Sequence, residues 1–241
     1  MRAFVRLLIL LVAAIAPSTA FASVGETVGV IPEANLDAGG VVTVLYVGAD
    51  VEIGETIKTG PVGQVELIFT DGTKLVVGPG SSLVIEEYLF RSEGNAGKLA
   101  INALGGTFRF FTGSMTKPSY EISTPSGTIG VRGTIFELYV NPFGNALVTV
   151  LEGAVNLCVK GTGNCNPVSV ETSQSCGAAF LALNANGFQN LTATEFSDYF
   201  PYLEDQAPLS QQFRVGWAED CFKDLVEGTA ALPESKPVSL N

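Results

Sequence analysis

The chain has 241 residues, with 13 Lys and Arg against 24 Asp and Glu, four cysteines and no histidine. Without histidine there is no Ser-His-Asp or Cys-His nucleophile, no HExxH zinc site and no imidazole base. A net charge of −11 suits nucleic acid poorly, because phosphate binding needs clustered Lys and Arg to release counterions.

Met1–Ala22 reads as an export leader. Arg2 and Arg6 give a basic start, Leu7–Ala16 is an unbroken apolar run, and Ala20-Phe21-Ala22 is an A-x-A cleavage site. The apolar run is too short to span a bilayer. Cleavage after Ala22 leaves a chain beginning at Ser23 with 11 basic and 24 acidic residues, a charge of −13. The expectation is a periplasmic or secreted acidic protein with no membrane span in its mature part.

Residues 23–40 read as a lead-in and residues 41–182 as a β body. Runs such as Val41-Val42-Thr43-Val44, Val65-Glu66-Leu67-Ile68-Phe69 and Thr107-Phe108-Arg109-Phe110-Phe111 alternate with Gly, Asp, Asn and Pro. Several have period two, which buries one face more deeply than the other. Asp71-Gly72-Thr73 lies between two such runs and predicts a hairpin with a type I′ turn. Gly-Thr pairs recur at Gly72, Gly106, Gly127 and Gly133, but at unequal intervals, so a regular solenoid is not indicated.

Cys158, Cys165, Cys176 and Cys221 are an even number in an oxidising compartment. They form no CxxC, and without histidine a zinc site is a poor alternative. Of the three possible pairings, Cys158–Cys165 with Cys176–Cys221 is preferred. The first pair flanks a turn-rich stretch able to close a hairpin, and the second would fasten the C-terminal region to the β body.

Residues 183–229 change character. Thr192-Ala193-Thr194-Glu195 is a capping box that opens a short helix through Phe200, with Pro201 as its stop. A second helix is predicted from Ser210 to Val226, because Phe213, Trp217, Cys221 and Leu225 fall at steps of four and form one apolar stripe. Residues 230–241, with two prolines, read as a loose tail.

The most specific stretch is Thr124-Pro125-Ser126-Gly127-Thr128-Ile129-Gly130-Val131-Arg132-Gly133-Thr134-Ile135-Phe136. It resembles the FecR family of bacterial regulators, whose periplasmic domain carries a T-P-x-A/G-x-x-G-V-R-G-T-x-F core. Val148–Val155, Val65–Thr73 and Gly48–Gly60 match further segments of that domain, in the right order. The resemblance covers Val42 to Ala178. In place of the family's cytoplasmic segment and membrane helix, this chain has the cleavable leader. The residue pattern predicts an all-β body of stacked or twisted antiparallel strands, solenoid-like or sandwich-like, with two short helices at its C-terminal end. The resemblance favours the solenoid-like version.

Within the core motif, Pro125 ends a strand, while Gly127, Gly130 and Gly133 permit turns or close backbone approach. Ile129, Val131, Ile135 and Phe136 fill the interior. Arg132 is read as structural, its fixed donors satisfying buried carbonyls or pairing with a carboxylate. The motif, including Thr124 and Thr134, is therefore assigned to packing.

No phosphate loop, dinucleotide fingerprint or GxSxG elbow is present. No catalytic residue, cofactor or metal is expected, since the paired carboxylates Glu86-Glu87 and Glu219-Asp220 read as solvated surface. The expected function is non-enzymatic binding of an envelope protein or secreted polymer, in a signalling or secretion-related assembly. The alternative is a carbohydrate- or peptidoglycan-associated module in which Tyr88, Phe90, Tyr120 and Tyr139 stack on sugars.

Overall fold

Alternating side chains make the strands of this protein, and glycines decide where those strands bend. The computed structural model describes residues 23–90, 97–115, 120–170, 179–184, 187–190 and 199–226. Among them are fifteen strands: β1 Gly25–Ile31, β2 Ala34–Ala38, β3 Val41–Val44, β4 Asp50–Val51, β5 Thr56–Thr59, β6 Gln64–Phe69, β7 Lys74–Val77, β8 Ser82–Leu89, β9 Lys98–Phe111, β10 Tyr120–Ser123, β11 Gly127–Val140, β12 Ala146–Val159, β13 Cys165–Val170, β14 Ala179–Asn184 and β15 Gly187–Asn190. All belong to one open, hydrogen-bonded sheet. The fold is all-β, as expected. Its ladders are antiparallel except β9–β10, which is parallel.

Three 14-residue strands, β9, β11 and β12, give the sheet its shape. Each changes partners part-way along. β9 runs beside β8 and β10 up to Gly105, then beside β7 and β11 from Gly106 onward. β11 passes from β10 to β9, and β12 from β14 to β13. The changes fall at Gly106 (φ +99°), Gly133 (φ +60°) and Gly153 (φ +79°). These are left-handed backbone conformations that a side chain disfavours.

The bend folds one sheet over on itself, so residues of both halves (Leu83, Ile101 and Ile129 with Leu67, Phe108 and Phe136) share one main core. At the bulge between Arg132 and Ile135 the ladder loses register. There the Thr134 hydroxyl donates to the Ala154 carbonyl (2.8 Å) and accepts the Ala154 N–H (3.3 Å), replacing the missing ladder bonds.

Several elements differ from expectation. The lead-in holds β1 and β2, and β1 is an interior strand paired to both β4 and β6. The Asp71-Gly72-Thr73 hairpin forms, but as a longer loop: Gly72 N–H donates to Phe69 O (2.9 Å), and Gly72 follows that turn at φ +83°. A type I turn closed by one left-handed glycine thus replaces the two-residue type I′ turn.

Pro201 starts a helix instead of stopping one. α1 is Pro201–Glu204, with the proline in its first turn, where a missing N–H costs nothing. The helix expected before it lies largely outside the described residues. Ser210–Val226 is broken into a 3-10 turn, Gln211–Phe213, and α2, Ala218–Val226. Arg214 takes up an extended conformation (φ −90°, ψ 147°), so Phe213 and Trp217 do not share one helical stripe.

Cys158 and Cys165 face each other across the β12–β13 hairpin and are disulfide-bonded. The Cys176–Cys221 pairing and the tail at 230–241 lie outside the described residues.

A Cβ on Gly153 would stand 2.1 Å from the Gly133 carbonyl oxygen, whereas Gly39, also at positive φ, meets open space. Gly153→Ala is therefore expected to destabilise the protein by about 2–4 kcal/mol, from overpacking plus backbone strain. Gly39→Ala should cost no more than about 1–2 kcal/mol. Urea unfolding of the two variants checks the difference.

Candidate functional site

On the outer face of the bent sheet, one cross-strand row carries Glu66 (β6), Val76 (β7), Arg109 (β9), Glu137 (β11) and Thr149 (β12) in register. Their strand neighbours Leu67, Phe108, Phe110, Phe136 and Leu138 point the other way into the main core, as period two requires. The outer face is covered by residues 199–222, which form a second apolar cluster. Phe200, Tyr202, Leu203, Leu209, Phe213 and Val215 pack there on sheet residues that include Val76, Phe111, Leu147 and Leu151.

Arg109 and Glu137 lie beneath this covering segment, both with 0% side-chain exposure. Arg109 Nε donates to Glu137 Oε1 (2.8 Å), and Nη2 donates to the same oxygen. The rest of the guanidinium reaches the segment: Nη2 to the Tyr202 carbonyl (2.6 Å), and Nη1 to the Phe213 carbonyl (3.2 Å) and Gln206 Oε1 (2.5 Å). The guanidinium also lies 5.6 Å from the Tyr202 ring centroid, a cation–π distance. Burial pushes the Glu137 carboxyl above the usual range, while the charge of Arg109 and its hydrogen bond oppose that rise. Burial also raises the Tyr202 phenol, with the Glu137 charge adding to the effect.

The same face holds the segment elsewhere. Glu66 accepts the Ser210 N–H (2.7 Å) and hydroxyl (2.5 Å), Gln64 donates to the Pro208 carbonyl (3.2 Å), and Lys74 donates to the Gln212 carbonyl (2.8 Å). Gln206 ties the segment to itself through both the N–H and the carbonyl of Val215.

A second polar cluster lies at the β6–β7 turn. Buried Asp71 accepts from the Tyr120 hydroxyl (2.7 Å), the Thr73 hydroxyl (2.6 Å) and the Thr73 N–H (3.1 Å), with the Tyr88 hydroxyl at 3.3 Å. Burial, with the Asp71 carboxylate adding to it, pushes the Tyr120 phenol up to about 12. Tyr88 and Tyr120 are therefore core residues and not sugar-stacking platforms. Tyr139 is half-buried and stacked on Tyr199, and Phe90 is exposed.

Thr124 and Gly127 close the turn between β10 and β11: Thr124 N–H donates to Gly127 O (2.8 Å), and Gly127 N–H donates to Thr124 Oγ1 (3.1 Å). A Cβ on Gly127 would meet the Cys158 carbonyl at 2.1 Å, whereas Gly130 has no such crowding. Ile129, Val131 and Phe136 fill the main core, while Ile135 packs against the outer cluster. The Arg132 side chain is exposed beside the bulge and makes no hydrogen bond or ion pair among the described residues. The part expected of it, satisfying buried carbonyls and pairing with a carboxylate, is filled by Arg109.

Exposed apolar residues gather on β3 and the turn that follows. Val41, Val42, Val44, Tyr46 and Val47 are 62–74% exposed. β3 pairs only with β2, so its other edge is open among the described residues. A separate groove of about 570 Å³ is walled by Leu104, Tyr139, Phe143 and three prolines, with no ionisable lining side chain besides the Tyr139 phenol.

Residues 55–156 match the family model described as FecR protein. The match is consistent with a FecR-family domain over those residues. That match holds Glu66, Lys74, Arg109, Glu137 and the whole Thr124–Phe136 motif, whereas β3 and the covering segment 199–222 lie outside it. It is narrower than the resemblance read from the sequence. Two crystal structures of a proposed anti-sigma factor from Parabacteroides distasonis are similar to this chain at 14% identity, with TM-scores of 0.43 and 0.42. In both, the match covers 59% of this chain and 62% of the other, so this chain spans about three fifths of their length. No match is found among the curated proteins. No described helix of this chain is long and apolar enough to cross a membrane.

Arg109→Met strands the buried Glu137 carboxylate and is expected to cost about 3–5 kcal/mol in urea unfolding, with Arg109→Met/Glu137→Met recovering much of that loss. The Tyr120 phenol keeps its proton up to about 12 when folded and loses it near pH 10 when unfolded. The folded state therefore binds more protons in that window, so its stabilisation is complete below pH 10 and lost as pH rises toward 12. Tyr120→Phe should flatten the decline of unfolding free energy between pH 9 and 12, measured by denaturant titration.

Proposed function

We propose that this chain is an exported, non-enzymatic FecR-domain protein that binds another protein of the cell envelope, with β3 as the docking strand. The observation that carries this reading is the open β3 edge, whose side chains are exposed on both faces of the strand. An unpaired edge offers a row of N–H and C=O groups to an incoming extended segment, and natural proteins usually blunt such edges with charge or proline. Residues 38–49 contain no charged residue and no proline. Val41, Val42, Val44, Tyr46 and Val47 stand exposed on and just beyond this edge, where an incoming segment would cover them.

The non-enzymatic part of the reading is supported by how the buried ionisable groups are used. Arg109, Glu66 and Asp71 are each held by hydrogen bonds to the protein's own groups, and Glu137 is paired with Arg109 under the covering segment. The leader at Met1–Ala22 supports export, with a mature N-terminus at Ser23.

A photocrosslinking amino acid at Val44 of the full chain, expressed in its native envelope, tests the docking strand. The expected result is an adduct with a different envelope protein, lost in Val42→Lys/Val44→Lys. That variant should unfold within about 0.5 kcal/mol of the parent, because both side chains are exposed. No adduct, or an adduct with a second copy alone, would refute the reading.

A further inference from the structure

The main core is complete without the covering segment. Its buried residues end at Leu183, and every buried apolar residue from Phe200 onward belongs to the second, outer cluster. Residues 199–226 add no strand to the sheet. Beside that apolar packing, most of their hydrogen bonds to the sheet use their main chain: the carbonyls of Tyr202, Pro208, Gln212 and Phe213 and the N–H of Ser210 meet the side chains of Arg109, Gln64, Lys74 and Glu66. All four of those sheet residues lie inside the FecR match.

The face is also shaped for an occupant. A Cβ on Gly78 would stand 2.7 Å from the Tyr202 hydroxyl. The main-chain contacts do not select side chains, so selection falls to the apolar positions such as Phe200, Leu203, Leu209 and Phe213 and to the hydroxyl that meets Glu66.

We propose that the outer face of this FecR sheet is a polypeptide-binding site, filled in this chain by its own residues 199–222 and open to an equivalent segment of another protein. The ligand class is an irregular polypeptide. It presents two carbonyls to Arg109 and a Ser or Thr N–H and hydroxyl to Glu66, with apolar side chains between. This surface is separate from β3, and the inference stands without the reading of that strand.

An independent observation supports an alternative occupant. Glu137 Oε2 and Thr149 Oγ1, register partners on this face, are fully buried and have no hydrogen-bond partner among the described residues. Segment 199–222 leaves both unsatisfied among the described residues, so a segment that brings a donor to that place would gain a bond that the resident one does not make.

The test uses the full mature chain with a specific protease site inserted between Asn190 and Tyr199, in a Cys176→Ser/Cys221→Ser background so that no second disulfide retains the fragment. After cleavage, a fluorescent peptide of residues 199–226 (Cys221→Ser) is added and its uptake followed by anisotropy. The expected result is exchange at one peptide per chain with the near-UV circular dichroism preserved. The uncleaved chain should bind the peptide at least 100-fold more weakly, because its tethered segment competes at a high effective concentration.

Arg109→Met/Glu137→Met should lower peptide affinity at least tenfold through lost bonds to the Tyr202 and Phe213 carbonyls. Lys98→Ala, whose side chain pairs with Glu87 away from this face, should leave that affinity unchanged. Failure of the peptide to exchange would overturn the proposal. So would loss of tertiary structure or aggregation on cleavage, since either makes residues 199–226 an integral part of the fold.

Discussion

An ionised arginine can be buried in a sheet face only if every face of its guanidinium finds an acceptor. Arg109 is fully enclosed, and the Glu137 carboxylate uses just one of its oxygens to meet it. The desolvation cost of such a pair usually exceeds its Coulombic gain. The balance is restored by three further acceptors, two carbonyls and the Gln206 amide oxygen, all from residues 199–222. The sheet face and its covering segment therefore depend on each other: without the segment Arg109 loses three of its acceptors, and without Arg109 the segment's carbonyls lose their donor.

Part of this was legible in the chain. Period two in Val65–Phe69 and Thr107–Phe111 marked strands, and Asp71-Gly72-Thr73 marked a hairpin, because those signals are local. Arg109 stood in plain sight between Phe108 and Phe110, but nothing within one strand shows what covers its outer face. Arg132 drew attention because of its place in a family motif, although the bulge turns it to solvent. The four-residue spacing of Phe213, Trp217, Cys221 and Leu225 misled for a related reason. Helical periodicity reports where apolar residues fall, but tertiary bonds from Lys74 to Gln212 and Arg109 to Phe213 pull the backbone into a 3-10 turn and an extended residue instead.

The Gly-Thr pairs show the same division between local and distant causes. At Gly72, Gly106 and Gly133 the glycine is left-handed, and the next threonine repairs hydrogen bonding beside the bend. Gly127 is instead constrained by the Cys158 carbonyl across the ladder. One dipeptide therefore serves two purposes, bending a strand or admitting a neighbour, and unequal spacing follows from the different lengths between bends.

Glu66 and Ser210 are 144 residues apart in the chain. At roughly 5–20 residues per second of synthesis, the interval between their emergence is about 7–30 s. Glu137 is made 71 residues after Glu66, so it is for about the second half of that interval that the row of Glu66, Arg109 and Glu137 is complete and its cover is not. A nascent chain of this protein thus carries an uncapped charged and aromatic surface for many seconds, a window in which a holdase chaperone would find its foothold.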